Sequence, residues 1–221
     1  MLLLDAWGDV MATLEALLTA SARLHNGRLC PRQVLGVRMS QLAGRLLGLD
    51  LPQRDKRLLV IVETYGCAAD GVAVGAGCWV GRRTLRVVDY GKVAATYVDT
   101  ATERAVRIAP RSEARTVACE YAPEAPDRWH AQLIGYQRMP EDELLTWRSV
   151  ALQEPLAWWL GEAGRRVQCE RCGEEVMNQR ELIVHGATLC RACAGQVYYR
   201  VLPWDHDESV THATQRARTS A

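Results

Sequence analysis

Phenylalanine is absent from the chain, whereas tryptophan occurs seven times. The core must therefore be filled by tryptophan and aliphatic side chains. An excess of either charge is also missing: 27 Lys and Arg against 26 Asp and Glu leave a formal charge of +1. That balance supplies no general electrostatic argument for nucleic acid or a membrane surface as partner. No apolar run reaches membrane-spanning length. The opening "MLLLDAWGDVM" has no basic leader and already carries Asp5 and Asp9, which argues against a signal peptide. The expected location is the cytoplasm, with reduced thiols, and no internal repeat is visible. There the eight cysteines ask for metal or chemistry rather than a disulfide framework.

What is present is an ordinary globular balance, 48% apolar and 24% charged, over 221 residues. That is enough for one core and a small satellite domain. Leu3, Trp7, Val10, Leu14, Leu17 and Leu24 follow helical spacing, with Ser21 the polar interruption. A second helix carries Leu35, Met39, Leu42, Leu46 and Leu49 on one face, with Pro31 in its first turn and Gly48 at its end. Gly36 and Gly44 weaken it intrinsically, so close packing against a neighbour is expected to compensate. "KRLLVIVET" reads as a buried strand, and "RTLRVVDY", "KVAATYVDT" and "RAVRIAP" as three more joined by tight turns. Residues 111–140 carry little pattern, and "PEDELLTWRSVALQEPLAWWL" reads as helix broken at Pro155. The fold class expected is α+β: N-terminal helices, a mainly antiparallel sheet and a small C-terminal treble-clef zinc finger. The expected domains are a core over 1–155, a connecting helix over 156–165, the finger over 166–203 and a solvated tail over 204–221.

The strongest motif is "CERCGEEVMNQRELIVHGATLCRAC". It presents Cys169, Cys172, Cys190 and Cys193 as two C-x-x-C pairs separated by seventeen residues. Each pair points two thiolates at one ion, and four protein ligands complete a tetrahedral, structural zinc site with no position open for substrate. Gly173 fits a knuckle turn, "VMNQRELIVHG" a hairpin, and "CAGQVYYRV" the start of a helix. His185 reads as a surface hairpin residue, since coordination is already complete. The wording resembles the finger of DksA/TraR-type regulators.

Cys30 falls at the N-cap of the second helix, immediately before Pro31, where free N–H groups and the helix dipole favour an anion. His25 lies five residues upstream. Reactive thiol, metal ligand and ordinary cap all remain open there. Cys67 follows a buried strand and a glycine, with Asp70 three residues on. Gly75, Gly77, Cys78 and Gly81 then read as a flexible segment whose glycines would admit a ligand against the backbone. "GAGCWVG" has the wrong last interval for a dinucleotide fingerprint. Cys119 reads as buried packing.

"CPRQVLGVRM", "VETYGCAADGVAVGAGCWVGRRTL" and "DYGKVAATYVDT", in this order across residues 20–110, resemble the formylmethanofuran dehydrogenase E-subunit-like family. The resemblance implies an α+β core, often dimeric, with an auxiliary treble-clef finger and a cleft lined by Cys and His where metal binds. It also implies an association with molybdenum-dependent one-carbon metabolism. Gly27, Cys30 and Pro31 match the family's His-Gly-His-x-Cys-Pro-Gly signature. Cys67 and Asp70 match its Cys-x-x-Asp element, and Gly77, Cys78 and Gly81 match its glycine-cysteine stretch. Asn26 and Arg28 stand where the family has histidines, and Arg32 where it has glycine; His25 is one position out of register. A guanidinium has no lone pair to offer a metal, and instead favours thiolate or a bound oxyanion.

The function read from these features is a zinc-containing protein with a Cys-lined cleft for a small ligand or metal, with catalysis left open. Cys30 and Cys67 are the candidate catalytic residues. His25, Arg28, Arg32, Asp70, Gly77 and Cys78 are the candidate ligand-binding residues. A second metal in the core cleft, held by His25, Cys30 and Cys67, remains open beside the structural zinc. The expected partners are an anionic or small-molecule ligand and a second copy of the chain, without nucleic acid or membrane. The alternative is a zinc-finger regulator or adaptor. Against nucleic-acid contact, residues 165–202 hold only six Arg with four acidic residues. A third possibility is a degenerate paralogue in which the cleft has outlived its chemistry.

Overall fold

The computed structural model describes residues 12–161 and 164–200. Contacts divide the chain between Leu160 and Gly161 into two compact units. Leu3, Trp7 and Val10 of the first expected helix, and the expected tail, lie outside the described residues.

In the first unit α1 spans Leu14–Arg23 and α2 spans Pro31–Leu47. Thr13 Oγ1 caps α1 by accepting from the N–H of Ala16 at 3.2 Å. Pro31 occupies the first turn of α2, and Gly48 ends that helix at φ 70. Strand β1, Leu58–Val62, leads into α3, Cys67–Ala76, which returns to β2, Leu85–Val87. β3 (Ala95–Asp99) and β4 (Ala105–Pro110) complete the expected strands. Beyond them come α4 (Ala114–Val117), α5 (Arg128–Arg138), α6 (Glu141–Leu144), β5 (Leu145–Val150) and α7 (Leu156–Leu160). The sheet order is β2-β1-β3-β4-β5. Only the β1–β2 pair is parallel; the other three pairs are antiparallel.

One sheet face, with Val60, Val62, Tyr97 and Ile108, packs under α2 and α3 in the main core. The other carries Leu59, Val98 and Ala105 under Val150, Leu156 and Trp159.

Three readings of the sequence are corrected here. Tryptophan does not fill the main core: Trp79, Trp129, Trp147 and Trp158 are exposed, and aliphatics with Tyr97, Tyr136 and Met39 take its place. "LTWRSV" is a strand, because Thr146 to Ser149 pair with β4 through Ala109 to Val106. The segment read as flexible begins inside a helix: Gly75 belongs to α3 and packs on α2, whereas Gly77 is the C-cap and Cys78 and Gly81 follow it. A Cβ on Gly36 would lie 2.6 Å from the Val72 nitrogen, and one on Gly75 2.8 Å from Ser40 Cβ. The packing expected for Gly36 is thus met by α3.

The buried guanidinium of Arg38 donates to the carbonyls of Tyr136 and Met139 at 2.8 and 2.9 Å. It closes the C-terminus of α5, where carbonyls lack intrahelical partners and a cation is favoured.

In the second unit β6 (Arg166–Gln168) pairs with β7 (Glu175–Met177), and β8 (Leu182–Val184) with β9 (Ala187–Leu189). His185 and Gly186, at φ 51 and 87, form the tight β8–β9 turn. His185 is therefore a hairpin residue, as read, although the hairpin is shorter than "VMNQRELIVHG". After the second cysteine pair the described residues form a turn, closed by Gly195 at φ 92, rather than a helix. Among the described residues no helix is long and apolar enough to cross a membrane.

Candidate functional site

The β1–α3–β2 segment places the N-terminus of α3 beyond the carboxyl end of β1, a position at which open sheets with parallel strands present ligand sites. The α2–α3 contacts step forward together along both helices: Gly71 meets Gln33, Gly36 meets Val72, and Gly75 meets Val37 and Ser40. The two helices therefore run in the same direction, with their N-termini at one end. Cys30 caps α2 there and Cys67 opens α3.

Burial raises the Cys67 thiol pKa, and the neighbouring Cys30 side chain raises it further. The nearby Asp70 carboxylate adds to this and also accepts from, or ion-pairs with, His25 at 2.8 Å from Nε2. His25 is presented by a turn after α1. The N–H groups of His25 and Gly27 both donate to the Ala22 carbonyl at 2.9 Å, and Asn26 sits at φ 53. Asn26 thus serves the turn.

An open groove of about 930 Å³ is lined by Leu24, His25, Asn26, Arg28, Cys30 and Trp129, among others. The side chains of Arg28 and Arg32 make no hydrogen bond or ion pair among the described residues, and both are exposed. Arg28 faces the groove, whereas Arg32, Cys67 and Asp70 are not among its lining residues.

Two residues escaped the reading of the sequence. Trp129, 48% exposed, reaches the groove from the first turn of α5, and nothing in its local sequence marks it. Gln33 is fully buried. Its Oε1 accepts from the Cys30 N–H at 2.9 Å, while its Nε2 donates to the Ser21 carbonyl and hydroxyl at 2.8 and 2.9 Å. The polar interruption at Ser21 was the available signal: a buried hydroxyl needs a partner.

Gly77 and Cys78 are not brought to this groove. They lie at the opposite end of α3, Gly77 as its C-cap at φ 71. Cys78 is 1% exposed and donates to the Leu58 carbonyl, and burial pushes its thiol up to about 11. Cys119 is exposed, contrary to the buried packing expected of it.

The four finger cysteines bring their Sγ atoms within 4.8 Å of one another, with Cys172 and Cys190 at 3.9 Å. A tetrahedral zinc thiolate site needs sulfur pairs about 3.8 Å apart, so the set fits zinc. Backbone N–H groups of Cys172 and Cys190 aim at Cys169 and hold its thiol at about 6. Ligation by four thiolates makes this a structural zinc-binding site. Among the described residues it is the only group of three or more such ligand atoms that close together.

A family model described as "FmdE, Molybdenum formylmethanofuran dehydrogenase operon" matches residues 25–146. A second, the prokaryotic dksA/traR C4-type zinc finger, matches residues 161–199. A probable S-adenosyl-L-methionine-binding protein of Archaeoglobus fulgidus is 30% identical over 199 residues, which covers 80% of this chain and 52% of that protein. The chain thus spans about half the length of this curated relative. Among solved structures, a tungsten formylmethanofuran dehydrogenase FmdE-like protein from Syntrophus aciditrophicus is similar at a TM-score of 0.55 and 23% identity. The likeness covers 82% of this chain and 92% of that one. The helix pair that carries Cys30 and Cys67 lies inside the first match and the four thiols inside the second, so this chain belongs to the FmdE family and carries a C4 zinc finger.

Proposed function

We propose that the groove at the N-terminus of α2 binds a small metabolite carrying an anionic group, with Cys30 in its lining and Cys67 behind Cys30 at the start of α3. The observation that carries this reading is the Arg28 guanidinium, free of any partner among the described residues and facing the same groove as Cys30 and exposed Trp129. A guanidinium offers a paired-donor fork to a carboxylate or phosphate, and an indole offers a face for an aromatic ring. S-adenosylmethionine, named for the Archaeoglobus relative, has both a carboxylate and an adenine and is the first ligand to test. Gly77 and Cys78 take no part in this proposal.

Calorimetric titration of the zinc-loaded protein with S-adenosylmethionine provides that test. Saturable binding, weakened at least tenfold by Arg28→Ala and by Trp129→Ala, is expected. Binding equal in the wild type and both variants would refute the assignment of the groove, and no binding would remove this ligand.

The same reading assigns one zinc per chain. Elemental analysis of the wild type and Cys30→Ala should return the same single equivalent, whereas a fall from two to one would establish a core metal held by Cys30. A homodimer acting in the cytoplasm belongs to this reading through the family. Sedimentation equilibrium at micromolar concentration tests the dimer.

A further inference from the structure

The structure assigns Cys30 and Cys67 a second chemistry: we propose that they are a thiol–disulfide exchange site, closing reversibly into an intramolecular disulfide. This goes beyond ligand binding and does not require it.

The argument begins with the glycines. Ordinary helix pairs keep their axes about 8–10 Å apart because side chains intervene. Here Gly36 and Gly71 remove the intervening Cβ atoms, so α2 and α3 meet backbone to backbone. A Cβ on Gly71 would lie 2.9 Å from both the C and Cα atoms of Gln33. Cys30 stands three residues before Gln33, and Cys67 four before Gly71. Each thiol is therefore about one turn above the same close contact, at the same end of helices running in the same direction. The two thiols accordingly sit close enough for Cys30 to raise the pKa of the Cys67 thiol.

The two thiols also differ from the other cysteines in access and commitment. Both are half-buried, open to a small reagent. Cys78 is sealed in the core, Cys119 has no companion, and the other four cysteines form the zinc-binding site. Gln33 fixes the Cys30 backbone through the Cys30 N–H and ties it to α1 through Ser21, so the Cys30 end of the pair is held in place.

The oxidant is a low-molecular-weight disulfide of the glutathione type. One cysteine thiolate attacks a sulfur of that disulfide; a protein–glutathione S–S bond forms, and one glutathione thiolate leaves. The second cysteine thiolate attacks the protein sulfur of this mixed disulfide, forms the Cys30–Cys67 bond and expels the second glutathione. The protein loses two electrons and two protons, and the disulfide gains them as two thiols. Reduction by excess thiol reverses both steps.

The test uses the full-length, zinc-loaded protein in a series of reduced-to-oxidised glutathione ratios. Samples are acid-quenched and alkylated, and non-reduced peptides are then mapped. A linked Cys30–Cys67 peptide that accumulates with oxidant and disappears with reductant, while zinc content stays constant, is expected. Cys30→Ser and Cys67→Ser, each checked for native circular dichroism, should instead accumulate a stable mixed glutathione disulfide on the remaining partner. Separate glutathione adducts on Cys30 and Cys67 without a link would overturn the proposal. So would full alkylation of both at oxidising ratios that modify Cys119. A ligand titration run on the same reduced samples keeps the two readings apart, since loss of one result leaves the other standing.

Discussion

Replacing Gly71 by alanine tests the contact on which the site depends. A Cβ at this position would stand 2.9 Å from two backbone atoms of Gln33 and closer still to its carbonyl oxygen, whereas ordinary contact begins at 3.4 Å. Both neighbours are helix backbone, so no side chain can swing aside; α2 and α3 must separate by roughly half an ångström or more, against a close-packed core. Overpacking of this kind costs about 1–3 kcal/mol, and a backbone obstacle places the cost near 3. Alanine returns about 1 kcal/mol of helix propensity, leaving a net loss of about 2 kcal/mol. Equilibrium urea denaturation of zinc-saturated protein, followed by far-ultraviolet circular dichroism, measures the loss. Gly81→Ala, where a Cβ meets nothing within 4 Å, is the control, with a change within about 0.5 kcal/mol expected. In Gly36→Ala/Gly71→Ala the second Cβ enters a gap already opened, so the losses should sum to about 1 kcal/mol less than additively. A Gly71→Ala protein as stable as the wild type would refute the backbone-to-backbone contact.

Arg38→Met should cost about 3 kcal/mol, because it strands the buried carbonyls of Tyr136 and Met139 at the end of α5; a thermal melt measures it. The Arg57 guanidinium, donating to both carboxylate oxygens, holds Asp99 well below the usual carboxylate range in the fold. Its folded pKa lies below the unfolded value, so the stabilisation is complete above about pH 4 and is lost as pH falls further. Denaturation midpoints between pH 7 and pH 2 should therefore fall less steeply on the acid side for Asp99→Asn, which starts lower at pH 7. Iodoacetamide at pH 8 should modify Cys30, Cys67 and Cys119 and spare Cys78 in the native protein, as read by peptide mass mapping. Cys172→Ser should abolish zinc binding and remove hydrogen-exchange protection from β6 to β9, since the finger has too little core of its own.

The parts of the fold written as repeating patterns were the legible ones. α2 has apolar residues at helical spacing between a proline start and a glycine stop, and β1 is an unbroken buried run that could face helices and a second layer. The zinc site followed from thiol spacing alone. α3 was hidden because its determinant is the surface of another helix. Gly71 and Gly75 look like loop residues until α2 is laid against them. β5 begins directly after the four-residue helix α6, so "EDELLTW" carries helical spacing across a boundary that only pairing with β4 reveals. At the site, the sequence pointed to Cys30, Cys67, His25 and Asp70, which the fold gathers, and to Gly77 and Cys78, which α3 carries to its far end. Trp129 comes from a segment about a hundred residues away in sequence, and only the packing of α5 on α2 brings it near Cys30.

The most direct test of the groove is a titration of ¹⁵N-labelled, zinc-loaded protein with S-adenosylmethionine, followed by amide and indole chemical shifts. The account predicts changes concentrated at Leu24 to Arg32, Cys67 to Asp70 and the Trp129 indole. Shifts centred on another surface, or none at millimolar ligand, would contradict it.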